Sequence, residues 1–104
     1  MNEKKAIIWI GLAKVRVLNE SNILKGNECA FTNAIGLAKT RTEFRKIVKA
    51  KLYTMELNLI RLEDTEPLSI RLKKNELNKD IIQLSRCLSD DNIIEFSTFH
   101  TFAT

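Results

Sequence analysis

Little in this sequence bends, cross-links or coordinates: among 104 residues there are one proline, three glycines, two cysteines and one histidine. So few proline and glycine residues leave no room for a low-complexity linker or hinge, and the whole chain, residues 1–104, is expected to form a single domain. Cys29 and Cys87 lie far apart and belong to no C-x-x-C or Cys/His cluster. They are expected to be free, buried thiols in a reducing, cytoplasmic setting rather than a disulfide framework. A single histidine and unpaired cysteines argue against zinc. The acidic group Glu63, Asp64 and Glu66 lacks the alternating ligands and central glycine of a calcium loop, so it reads as a solvated turn. The three glycines form no phosphate-cradling loop. No metal and no cofactor is expected.

Long apolar runs are absent too. Met1–Lys5 is basic and Ala6–Ala13 is apolar, which mimics a signal peptide, but Lys14 and Arg16 interrupt the run and no small-x-small cleavage pattern follows. The run is too short to span a bilayer, and it reads as a strand.

What is present is ordinary globular chemistry, 44% hydrophobic and 29% charged residues, enough to build one core. From Ala6 to Leu18 the odd positions Ile7, Trp9, Gly11, Ala13, Val15 and Val17 form an unbroken apolar or small face at period two. The even positions Ile8, Ile10 and Leu12 are apolar before Lys14 and Arg16 turn polar. This predicts a long strand whose first half needs cover on both faces. The segment 19–28 is rich in turn formers and reads as a loop. Residues 29–38 alternate large and small side chains, which favours a second strand, and Thr40 to Glu43 is a capping-box pattern that opens a helix over about 41–54. Phe44, Ile47, Val48, Leu52 and Met55 give that helix its apolar stripe. A third strand is expected over 56–62, broken by 63–67 at Pro67. A second helix is marked by Leu77, Ile81, Leu84 and Leu88 with Asn75 or Asn78 as its cap, and a last strand by 93–102.

The expected class is α+β, a four-stranded antiparallel or mixed sheet with two helices on one face. The order is β-β-α-β-α-β, or the ferredoxin-like β-α-β-β-α-β if 29–38 is helical and 68–73 a strand.

Two features bear on function. Lys39, Arg41, Arg45, Lys46, Lys49 and Lys51 crowd between residues 39 and 51 against Glu43 alone, and they account for most of the net charge of +4. At about 100° per residue, Arg45, Lys46 and Lys49 fall opposite the apolar stripe. Such a face can meet phosphates, an acidic protein or an anionic membrane, although no aromatic residues are interleaved with its charges and no helix-turn-helix or RNA-recognition signature is present. The second feature is surplus apolar surface: Ile8, Ile10 and Leu12 point away from helices placed on the odd face. That surface calls for a second copy of the chain, a protein partner, or the loop 19–28 with Ile23 and Leu24 folded over it.

The reading that follows is a small non-enzymatic interaction module, of regulatory or immunity/antitoxin type, that binds a protein partner or forms a homodimer. Its expected partner-binding residues are Ile8, Ile10, Leu12, Arg45, Lys46 and Lys49. A basic chain would favour an acidic partner. The alternatives are a ligand-binding domain or enzyme with a sheet–helix pocket holding His100, Trp9 or Tyr53, and nucleic-acid binding through the basic helix. His100 has no sequence neighbour that forms a triad with it, so no catalytic residue is assigned.

Overall fold

A computed structural model describes residues 5–18, 28–74 and 79–102. The elements run β1 (Ile7–Val17), β2 (Cys29–Ala38), α1 (Arg41–Thr54), β3 (Leu57–Pro67), α2 (Leu68–Lys73), α3 (Lys79–Arg86), β4 (Ile94–Phe96) and β5 (His100–Phe102). The sheet is antiparallel, in the order β3-β1-β2-β4, with β5 also paired to β2. The class is α+β. Because residues 29–38 are a strand and 68–73 a helix, the order is β-β-α-β-α-α-β-β, which adds the helix 68–73 to the expected β-β-α-β-α-β and divides its last strand, and is not the ferredoxin-like one.

β1 lies in the middle, which is why half of it is apolar on both sides. It pairs without interruption to β2, from Ile7 opposite Ala38 to Arg16 opposite Cys29. Trp9, Ala13 and Val15 share one face with Ala30, Ala34 and Ala38 of β2, and α1 packs there through Phe44, Val48 and Leu52, all buried. The small side chains of β2 are what let α1 approach. Gly36 is the extreme case: a Cβ there would lie 2.8 Å from Ile94 Cδ1, 2.9 Å from the Ile93 carbonyl oxygen and 3.1 Å from Phe44 Cε1. One of those contacts is backbone, which cannot rotate away. Gly36→Ala should therefore destabilise the fold by about 1–3 kcal/mol, seen as a lower urea midpoint at unchanged slope; an unchanged midpoint would show that β4 can give way. The Trp9 ring stacks on Phe44 with centroids 6.5 Å apart, and its indole N–H donates to the Ala38 carbonyl at 3.0 Å, so the buried polar atom is satisfied.

The helices do not share one face. Ile10 and Ile35 form a second core with Leu68 and Ile81, flanked by Ile8, Leu84 and Leu88, on the side of the sheet opposite α1. The reason is where β3 ends. Pro67 is in register with Trp9, so the chain leaves the sheet beside Ile8 and Ile10, and Leu68 drops onto that face. Ile81 and Leu84 of α3, with Leu88 just after it, complete the cover. Leu77, Asn75 and Asn78, and most of the loop 19–28, one of the candidate covers for this face, lie outside the described residues.

β3 runs through the stretch where a break was expected. Register shifts between Ile10 and Leu12 and between Lys14 and Val15 accommodate extra residues, and Asp64 takes a positive φ of 53°. On an edge strand a terminal proline is tolerated, so Pro67 closes β3 rather than preventing it. The last run splits into β4 and β5 because Ser97 replaces the ladder. Its N–H donates to the Asn33 carbonyl at 2.9 Å, its Oγ accepts from Asn33 N at 2.9 Å, and its carbonyl accepts from Thr32 Oγ1 at 2.8 Å. Both cysteines are free; Cys29 is buried as expected, whereas Cys87 is exposed.

Candidate anion-binding groove beside helix α1

Thr40 starts α1 as its sequence pattern indicated, its hydroxyl accepting from Glu43 N at 3.1 Å. With Phe44, Val48 and Leu52 turned inward, Arg41, Arg45, Lys46, Lys49 and Lys51 are left on the outside, all exposed. Among the described residues none of these cations makes an ion pair; Arg41 instead leans over the Trp9 ring, its guanidinium carbon 6.0 Å from the centroid.

Two acids of β3 are paired with cations outside α1. Glu66 is held by Arg71 and by Lys74 Nζ at 3.0 Å, and Arg71 also donates to the Asp64 carbonyl at 2.8 Å. Hydrogen bonds from Arg71 and then Lys74 keep the Glu66 carboxyl below its ordinary range. Glu63 pairs with Arg61 at 2.6 Å. The acidic segment 63–66 is thus a clasp that ties α2 to β3 rather than a solvated turn. Among the described residues no three His, Cys, Asp or Glu side chains gather as metal ligands would.

Lys46 and Lys49 continue into a cleft of about 360 Å³ between α1 and the start of β3, lined also by Ala50, Tyr53, Leu57 and Asn58. Leu57 is buried, whereas Tyr53 is 71% exposed. Asn58 stands on the edge strand and is in register with Arg16 of β1. Beyond Arg16, on the sheet face away from α1, Phe31 of β2 and Phe102 of β5 stack with centroids 4.9 Å apart, and Lys14 Nζ lies 5.4 Å from the Phe102 centroid.

The residues singled out from sequence therefore part company. Arg45, Lys46 and Lys49 are together on the open face of α1. Ile10 is 1% exposed under α2 and α3, and Ile8 packs beside it half-buried; Leu12 is half-buried farther along β1. The apolar face thought to want a partner has been covered over Ile8 and Ile10 by the chain's own helices. Trp9, Tyr53 and His100 do not meet in one pocket: Trp9 is in the core, Tyr53 on the outer side of α1, and His100 is exposed on β5 opposite Phe31. Sequence reasoning missed Tyr53 and Asn58 as neighbours of the lysines. Tyr53 could have been found, since it follows Lys49 by four residues and Lys46 by seven on a helix; Asn58 could not, because the turn at Met55–Glu56 places it.

Among the described residues no helix is long and apolar enough to cross a membrane. No family model matches the chain, and the searches of curated proteins and of solved structures return no significant match.

Proposed function

We propose that the chain is a non-enzymatic binding module that docks an anionic macromolecule on the outer face of α1 and in the groove α1 forms with β3. The observation that carries this reading is an imbalance. Arg45, Lys46 and Lys49 are exposed with no carboxylate partner among the described residues, while Glu63 and Glu66 are already paired with Arg61, Arg71 and Lys74. Cations held close together on a rigid helix create a local positive potential that steers and retains a polyanion. The apolar sheet surface no longer supports a partner face at Ile10, which leaves the charged face as the basis of the module. A regulatory or immunity/antitoxin-type role fits a module of this kind, with the acidic partner expected of a basic binder.

The test is charge reversal at two exposed positions where packing is not at stake. Lys46→Glu with Lys49→Glu should leave the circular dichroism and urea midpoint unchanged. It should also weaken binding to a labelled polyanion at low salt and reduce the slope of log affinity against log salt by about two. Equal affinity and an equal slope for the double variant would remove α1 as the docking face.

A further inference from the structure

We infer that the anionic partner is a single-stranded nucleic acid, with a base stacked on Tyr53 and flanking phosphates held by Lys46 and Lys49; this rests on the reading of α1 as the docking face. The groove holds more than charge. Tyr53 is 71% exposed, which leaves an aromatic face open at the end of a row of cations. Ala50 and Leu57 supply apolar lining around it, and the edge strand at Asn58 closes the other wall. An aromatic ring beside two ammonium groups matches two parts of a nucleotide, base face and phosphate. Lys46 and Tyr53 are seven residues apart, an axial reach of about 10 Å along the helix. That corresponds to roughly three nucleotides at the axial spacing of a stacked strand.

Other anionic partners fit less of the groove. An acidic peptide would use the lysines and leave the ring idle. In a duplex the bases are stacked on one another and closed to Tyr53. An anionic membrane would need apolar side chains on the same helix face, but Phe44, Val48 and Leu52 are buried in the core. A second observation extends the path. Asn58 is in register with Arg16, and past it lie Lys14 and the stacked Phe31–Phe102 pair. A strand leaving the groove around the edge of β3 meets cations beside aromatic rings again, now contributed by three different strands.

The decisive comparison is anisotropy of a labelled oligothymidylate with the wild-type protein, Tyr53→Ala, Tyr53→Trp and the double lysine variant, competed with the same length of duplex and with polyglutamate. The expected result is that Tyr53→Ala weakens binding about 5- to 150-fold at an unchanged salt slope, that Tyr53→Trp retains it, and that the single strand outcompetes duplex and polyglutamate. If Tyr53→Ala binds like the wild type, or polyglutamate competes equally well, the nucleic-acid assignment falls while anion docking on α1 survives. If the wild-type protein holds none of the three polyanions, both fall.

Discussion

Truncating Phe44 to alanine is expected to lower stability by about 3–5 kcal/mol, the largest effect of any substitution considered for this protein. Phe44 is fully buried, stacks on Trp9 and lies against the Cα side of Gly36. The surroundings cannot refill the space. The strand beneath it presents Ala34, Gly36 and Ala38, which have no side chain to swing inward. The cavity would stay open, and a void that cannot collapse places the cost at the upper end of its range. Against a total stability of about 5–15 kcal/mol for a domain of this kind, that is enough to bring the protein near unfolding at room temperature. Urea denaturation followed by circular dichroism measures it. A loss below about 1 kcal/mol would mean that α1 settles onto the sheet in some other way.

The second large effect separates a core residue from an interface residue. Ile10→Ala is expected to cost about 2–5 kcal/mol, toward the lower value because α2 and α3 are short and can sink into part of the gap. It should leave the molecular mass in solution, read by light scattering after size exclusion, the same as that of the wild type. Had the face of Ile8, Ile10 and Leu12 been an open partner surface, the same change would alter association and scarcely move the urea midpoint. A changed mass at unchanged stability would restore that surface as an interface and displace the α2–α3 roof.

The two outcomes bear on function through charge. Once the chain covers Ile8 and Ile10 itself, the surface that most distinguishes it is the basic one. The ion pairs of Glu63 and Glu66 are with Arg61, Arg71 and Lys74, not with the cations of α1. On the reading proposed for α1, the exposed ring of Tyr53 is the feature that would discriminate between polyanions that charge alone treats alike.

Much of the architecture was legible in the residues themselves. The period-two face of β1, the Thr40 cap and apolar stripe of α1, the alternation in β2 and the outward set of Arg45, Lys46 and Lys49 are all local signals, set by neighbours within one or two turns or a few strand residues. Local chemistry does not depend on the rest of the chain, so these expectations hold in the fold. Other features follow only from where distant segments meet. The exit of β3 at Pro67 beside Trp9 sent the last helices to the face opposite α1. The hydrogen bonds of Ser97 to Asn33 and Thr32 split the final strand. The start of β3 brought Asn58 next to Tyr53, and three strands assembled Lys14, Phe31 and Phe102. Such placements are set by register and long-range packing, in which one side chain reads another many residues away, and no periodicity along the chain encodes them.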